Sequence, residues 1–486
     1  MRYLPTGEWM QKADHETIHG IGIPSMVLME RAALRTVETM EQEDADLRRT
    51  IIFCGSGNNG GDGFAIARLL FEKGIDVTAV FTGKEASMSE DCKTQRDIAR
   101  RCGVSIVTET DSREYTTIVD AVFGVGLNRE IRGDYLEVIR QMNNMDGYKV
   151  AVDIPSGVCS ATGNILGEAF KADLTVTFQC EKLGMLLHPG HMYSGKIIVC
   201  DIGIRQEIFQ DEKSVLYTYE KTDLKKLLPR RQPNSHKGTY GKVLMIVGSN
   251  GMSGAAYLSA KAAYTCGAGL VQIYTAEENR IILQQLLPEA IISTYTVFDK
   301  EKLLKLLKWA DVVCIGCGLG LSKLAERILT VTLAEAEVPL VIDADGLNIL
   351  KDHMDLLKEE SVPVILTPHM KEMSGLLDCS IQELSDNRFT KLQEFTDKKG
   401  VVCVLKDART VVEQRNRRSF INSAGNSAMA KAGSGDVLAG VITALAAQHM
   451  EPYEAAVLGV YLHACGGDEA KEEKGSYSVL AGDLID

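Results

Sequence analysis

Short runs of β-branched residues alternate with amphipathic stretches of about ten to fifteen residues along most of the chain, the pattern of repeated strand–helix–strand units. In the first half TIIFC (50–54), IDVTAVF (75–81), TTIVDAVFG (116–124), KVAVDI (149–154) and LTVTF (174–178) predict strands, with helices over 62–74 and 89–102. Such apolar strands separated by helices predict a mostly parallel sheet covered on both faces, a Rossmann-like three-layer layout. Periodicity breaks from Ile208 to Thr222, and prolines and basic residues follow. Alternation then restarts at KVLMIVGS (242–249) and runs through LVQIYT, DVVCIG, PLVIDAD, PVILTP and VVCVLKD to a long small-residue helix after Gly435. The expectation is two α/β domains, over 1–214 and 222–486. No fixed-period repeat suggests a solenoid.

Composition narrows the class. A chain of 486 residues exceeds one ordinary core, and 45% hydrophobic with 24% charged residues fits neither a disordered nor a fibrous protein. A net charge of −13 opposes a broad nucleic-acid footprint, so a phosphate must be held locally by backbone amides. The opening MRYLPTGEWMQ lacks a basic region followed by an apolar core, and no run reaches the roughly 18 apolar residues of a membrane span. These features predict a cytoplasmic protein with no membrane or nucleic-acid partner. Twelve scattered cysteines suit a reducing compartment, and the lone C-x-x-C of Cys314 and Cys317 reads as two buried thiols before it reads as a zinc or redox pair.

The first candidate site is the loop GSGNNGGDG between a predicted strand and helix, where free amides and the helix dipole favour an anion. Gly55, Gly57 and Gly60 satisfy G-x-G-x-x-G, but a dinucleotide dehydrogenase needs an acid at the end of the next strand, and Phe81 and Thr82 stand there. Asn58, Asn59 and Asp62 exceed what a tight Asn-Gly turn requires. Two later strand ends carry matching chemistry: Asp120 in VDAVFGVGLNRE, and Asp153 with Ser156 in VDIPSGVCSATG. The carboxyl ends of parallel strands face one crevice, so the three segments are expected to converge. Oxygens of Asn59, Asp120 and Ser156 would suit a hard cation, although lone acids at strand ends also serve as helix caps.

In this order, and with LMERAA (28–33), these motifs resemble the NAD(P)H-hydrate epimerase domain family. The resemblance implies a potassium ion at Asn59, Asp120 and Ser156. It also implies a hydrated cofactor contacted by Asn58, Asn59, Gly60, Gly61 and Asp62, by Gly124, Val125, Gly126, Leu127, Asn128, Arg129 and Glu130, and by Asp153. Asp153 is then the candidate for proton handling as the hydrated ring carbon inverts.

In the second half, AGSGDVLAGVITALAA (432–447) gathers amides at a helix start, with Asp436 placed to accept a hydroxyl proton as a phosphoryl group arrives. A plain capped helix is the simpler reading. GSNGMSG lacks the lysine and spacing of a P-loop. GCGLG (316–320) permits close backbone approach, TPHMKEM (367–373) sets His369 after a strand, and VVCVLKDARTVV (401–412) places Lys406, Asp407 and Thr410 in a hairpin. With SHKGTYGK, GAAYLSAKAAYTCGAGLV and DADGLN, these resemble the ADP/ATP-dependent NAD(P)H-hydrate dehydratase family, which implies a ribokinase-like fold. The resemblance implies that Ala255, Gly318, His369 and Asp436 contact the hydrated cofactor, and that Lys406, Asp407, Ala408, Arg409, Thr410 and Gly435 contact the nucleotide. Met370, Lys371, Asp407, Cys317, Ala428 and Ala432 depart from the family pattern.

The implied activity is repair of hydrated NADH and NADPH. One domain epimerises the R and S forms, and the other dehydrates the S form with ADP, in preference to ATP and with Mg2+, giving AMP and phosphate. A homo-oligomer is expected. The alternatives are a ribokinase-like small-molecule kinase carrying a non-catalytic binding domain, or a silent sensor or RNA-associated scaffold. Fusion favours repair, because an epimerase matters only where the next site takes one epimer.

Overall fold

The central strands of the N-terminal half are buried almost throughout, as a sheet covered on both faces requires, and successive side chains enter the two cores in turn. In strand β1 (Arg49–Cys54), Ile52 and Cys54 join the core beneath one helical layer, while Ile51 and Phe53 join the core of the other. The computed structural model describes residues 1–210, 212–357 and 362–486. Contacts divide them into two units, Arg2–Leu216 and Tyr217–Asp486.

The first unit opens with helices α1 (Gly7–His15) and α2 (Ser25–Gln42) before β1. It continues through α3 (Asn58–Glu72), β2 (Asp76–Phe81), α4 (Glu90–Cys102), β3 (Ser105–Val107), β4 (Thr117–Ala121), α5 (Asp134–Asn144), β5 (Tyr148–Val152), β6 (Leu174–Phe178) and β7 (Lys196–Cys200). The strands form one parallel sheet in the order β3-β2-β1-β4-β5-β6-β7. Strand order reverses at β1, so the crevice between the carboxyl ends of β1 and β4 is the switch point where such sheets bind ligands.

Three boundaries differ from expectation, each for a local reason. Helix α3 begins at Asn58 rather than near 62, inside the glycine-rich stretch. Its first turn can form there because Gly60 lies under the Gly55 carbonyl oxygen, 2.0 Å from where a Cβ would stand. Strand β4 stops at Ala121 because the Asp120 carboxylate accepts the Val122 amide at 3.1 Å, and β5 stops where Asp153 turns to φ +69°. Edge strand β7 lacked a prediction; its half-exposed residues give a weak hydrophobic signal.

The second unit carries β8 (Lys242–Ile246), α6 (Ser253–Thr265), β9 (Leu270–Ala276), α7 (Arg280–Leu286), β10 (Ile291–Tyr295), α8 (Lys300–Trp309), β11 (Val312–Ile315) and α9 (Lys323–Glu335). Beyond these come β12 (Leu340–Ile342), α10 (Asp345–Leu350), β13 (Val364–Leu366), α11 (Met370–Leu377), β14 (Val402–Leu405), β15 (Val411–Glu413), β16 (Phe420–Ile421), α12 (Ser434–Ala447) and α13 (Pro452–Lys474). Nine strands of the sheet run in the order β16-β15-β14-β13-β12-β11-β8-β9-β10, parallel from β14 through β10, with the expected antiparallel hairpin at β14–β15. Helix α12 is buried continuously from Val437 to Ala447, as its apolar sequence demands. Gly440 lets it approach α6 closely: a Cβ there would lie 2.2 Å from the Ser259 carbonyl oxygen. Among the described residues no helix is long and apolar enough to cross a membrane.

Candidate active sites

A cavity of about 500 Å3 opens at the switch point of the first unit. Asn58, Asn59 and Asp62 border it from the start of α3, Gly124 to Arg129 from the loop after β4, and Asp153 from the loop after β5. The three predicted segments therefore meet. Gly60 and Gly61 instead face protein, against the Gly55 carbonyl and Met29, and Glu130 pairs with Arg132 at 2.6 Å. Thr82, at the position a dehydrogenase would fill with an acid, bonds the Cys54 carbonyl.

Asp153 is held in a left-handed conformation that costs a non-glycine residue about 1–3 kcal/mol. Its Oδ1 accepts from the Phe178 amide at 3.1 Å, from Thr177 Oγ1 at 3.3 Å and from the Lys182 ammonium. Lys182 is 1% exposed and also donates to Thr177 Oγ1 and the Phe178 carbonyl. The sequence reading missed this lysine; its signal was a lone cation in the apolar run after β6. Helix α1 adds Asp14, which had no signal, since a polar helix face offers many acids. Burial, and secondarily Asp153, push the Asp14 carboxyl up to about 6, with Lys182 opposing. Burial raises Asp62 as well, with Asp153 and Asp14 adding to it.

Asp120 and Ser156 lie beneath this cavity and bond each other. Ser156 Oγ donates to Asp120 Oδ1 at 2.6 Å, and the Ser156 amide donates to Oδ2 at 2.7 Å. Asp120 is fully buried, with no cationic side chain in salt-bridge contact among the described residues, and desolvation pushes its carboxyl up to about 6 against the Ser156 hydrogen bonds. Asn59 Nδ2 is buried with no hydrogen-bond partner among the described residues, and Gly124 brings the β4 loop against this side chain. Rotating the amide places an oxygen there instead. A buried unpaired carboxylate, a hydroxyl and an amide oxygen fit a hard monovalent cation.

In the second unit the amino end of α12 meets the carboxyl ends of β11, β12 and β14. Lys406 Nζ donates to Asp343 Oδ1 at 2.6 Å, and a Cβ on Gly435 would lie 3.4 Å from that ammonium. Burial works against the Lys406 charge, but Asp343 and Glu372 outweigh it and raise its pKa. Asp436, in the first turn of α12, is pushed up to about 6 by burial and by Asp343, with Cys317 and Lys406 opposing. Ligand atoms of Cys317, Asp343 and Asp436 lie within 4.8 Å of one another. Cys314 and Cys317 are buried thiols, and Cys317 Sγ approaches Asp343 Oδ2 at 3.8 Å.

His369 caps α11, its Nδ1 accepting the Lys371 and Glu372 amides at 3.1 Å, and it bridges to Lys406 in register. Ala255 adjoins Gly318, where a Cβ would stand 2.9 Å away. Asp407 pairs with Arg388 at 2.8 Å, Arg409 donates to the Ser423 carbonyl and Thr410 to the Asp407 carbonyl, with Ala408 in the same turn. The sequence reading quoted DADGLN without giving Asp343 a role; an acid ending a strand was the signal.

Comparison with known proteins agrees with this division. Residues 243–486 match the NAD(P)H-hydrate dehydratase family model, and residues 25–184 match the YjeF-related protein N-terminus model. The bifunctional NAD(P)H-hydrate repair enzyme of Moorella thermoacetica is 36% identical, covering 100% of this chain and 95% of its own. This chain belongs to that repair-enzyme family. The repair enzyme of Coxiella burnetii is 35% identical over 96% of this chain and 94% of its own. A ribokinase-like superfamily protein from Enterococcus faecalis, 31% identical, superimposes with a TM-score of 0.50 over 56% of this chain and 93% of its own. The repair-enzyme family thus accounts for both units, and the ribokinase-like fold for the second.

Proposed function

We propose that the first unit interconverts the R and S forms of hydrated NADH and NADPH, and that the second dehydrates the S form with ADP, releasing AMP and phosphate. The observation that carries this is the pairing, in one chain of the repair-enzyme family, of an acid-lined switch-point cavity with an Asp436–Lys406 cluster at a helix amino end. In the first unit Asn58, Asp62 and the loop 124–129 bind and orient the cofactor, and Asp153 moves a proton at the hydrated ring carbon. Gly60, Gly61 and Glu130 support this wall rather than touch the ligand. Asn59, Asp120 and Ser156 would hold a potassium ion, which would supply the counter-charge Asp120 lacks.

In the second unit the hydrated ring lies beside Ala255, Gly318 and His369. Lys406 to Thr410 and the Gly435 amide receive the nucleotide. Asp436 takes the ring hydroxyl proton as the phosphoryl group arrives, and departure of phosphate restores the nicotinamide double bond. Asp343, whose Oδ2 lies 3.8 Å from the Cys317 thiol and whose ligand atoms cluster with Asp436, is the carboxylate that would hold Mg2+ entering with the nucleotide; the ion would neutralise charge on the phosphoryl oxygens. The reading includes domains over 1–214 and 222–486 and a cytoplasmic location, which twelve free thiols support. A homo-oligomer belongs to it too, covering exposed Ile281, Ile282 and Leu286 of α7 beside Ile291, and sedimentation velocity tests that.

The central test supplies the protein with both hydrated NADH epimers, K+, Mg2+ and ADP and follows the reduced-nicotinamide absorbance. Repair consumes both epimers with AMP formed. A small-molecule kinase with a silent first unit gives no nicotinamide signal.

A further inference from the structure

We infer that Asp14 is a second catalytic carboxylate of the epimerase cavity, handling protons on the face of the hydrated ring carbon opposite Asp153. The inference rests on the epimerase reading of the first unit. Inverting a carbinol carbon through loss and return of water needs an acid on one face and a base on the other. On one face a carboxylic acid protonates the hydroxyl, the C–O bond breaks, its electron pair leaves with water, and the ring nitrogen lone pair stabilises the cation. Water then adds to the other face, and a carboxylate there takes its extra proton. One proton leaves the first carboxyl and one arrives at the second, and exchange of both groups with solvent water resets them for the next turnover.

Asp153 alone is poorly arranged for both duties, because its Oδ1 already accepts from Lys182, Thr177 and Phe178. Asp14 differs. It borders the same cavity from another element, α1, and its carboxylate makes no hydrogen bond or ion pair among the described residues. The charged groups facing this cavity are Asp62 from α3, Asp91 from α4, Arg129, Asp153 and Lys182. Burial and the neighbouring Asp153 favour a proton on Asp14, with Lys182 opposing, and the protonated form is the state a donor to a leaving hydroxyl requires. Helix α1 is also fixed against the ligand loop: Ser160 Oγ accepts the Gly7 amide at 3.1 Å and donates to the Val125 carbonyl at 3.2 Å.

The test measures R-to-S interconversion of hydrated NADH by chromatography, in K+ without nucleotide, for wild type, Asp14→Asn and Asp14→Glu. Consumption of the S form with ADP serves as the control in the same preparations. Asp14→Asn is expected to lower the epimerisation kcat by about 100-fold or more with KM changed little, the usual scale for losing a general acid. Asp14→Glu is expected to recover part of that loss, and S-form dehydration to stay at the wild-type rate. The inference is overturned if Asp14→Asn epimerises within about threefold of wild type, or if KM rises while kcat holds. A wild-type protein that fails to interconvert the epimers sinks the epimerase reading itself, a separate result.

Discussion

Replacing Asp343 by Asn removes the charge that Lys406 was folded around. Asp343 is 1% exposed, and its Oδ1 accepts from Lys406 Nζ at 2.6 Å and from Thr367 Oγ1 at 2.7 Å. Taking one partner from a buried ion pair costs about 3–5 kcal/mol, because the other charge stays desolvated. The amide keeps the Thr367 bond, Glu372 still attracts the ammonium, and Lys406 retains 19% exposure, so the lower end, about 3 kcal/mol, applies. The chain has two tryptophans, Trp9 in the first unit and Trp309 in the second. In a Trp9→Phe background, urea unfolding followed by fluorescence reports the second unit. Its midpoint should fall by about 1 M with an unchanged slope. The double variant Asp343→Leu/Lys406→Met, which removes both charges, should recover to within about 1 kcal/mol of wild type. An Asp343→Asn midpoint corresponding to a loss below about 0.5 kcal/mol would refute the claim that this pair organises the dehydratase site.

Asp436→Asn should abolish ADP-dependent dehydration while leaving epimerisation measurable, and Asp153→Asn should do the reverse; loss of both activities in either folded variant contradicts separate sites. Glu413 on β15 is buried and accepts from Ser419, and burial pushes its carboxyl up to about 7. A pKa higher in the folded than in the unfolded chain means the native state holds the proton, so this stability is complete below about 4.5 and is lost as pH climbs through about 7. At about 1.4 kcal/mol per unit the loss is about 3 kcal/mol, and Glu413→Gln should remove that pH dependence in urea titrations; an unchanged dependence refutes the assignment. Gly60→Ala puts a Cβ 2.0 Å from the Gly55 carbonyl oxygen, so epimerisation should fall sharply with dehydration intact, and normal epimerisation would show that the loop shifts cheaply.

Much of the framework was legible because it is written in local pattern. Apolar runs mark the strands, and the rule that parallel strands present their carboxyl ends together brings GSGNNGGDG, VDAVFG and VDIPSG to one cavity. Boundaries were less legible because tertiary contacts set them. The Asp120 carboxylate ends β4 by capturing an amide, and the Gly55–Gly60 approach starts α3 four residues early. Glycine was read as freedom for a ligand to approach, whereas Gly60 and Gly61 use that freedom for the chain itself.

The residues that escaped the sequence reading share a physical cause. Asp14, Lys182 and Asp343 gain their character from what the fold places around them: Asp14 from burial and then from Asp153, Lys182 from Asp153 across 29 positions, Asp343 from Lys406 across 63. Pattern along a chain reports which groups are near in sequence, and electrostatic partnership depends on what the fold brings near in space. Burial magnifies the difference, since a carboxylate that would be ordinary in water becomes a proton store once its neighbours are acids and its solvent is removed. The two units therefore resemble each other chemically despite different sheets. In each, glycine loops lie at the carboxyl edge, a lysine is tied to one acid, and a second acid is left with its carboxyl raised to about 6, Asp14 in one and Asp436 in the other. Tying the lysine to one acid leaves the second without a full counter-charge, which is the condition that lets it exchange a proton near neutral pH.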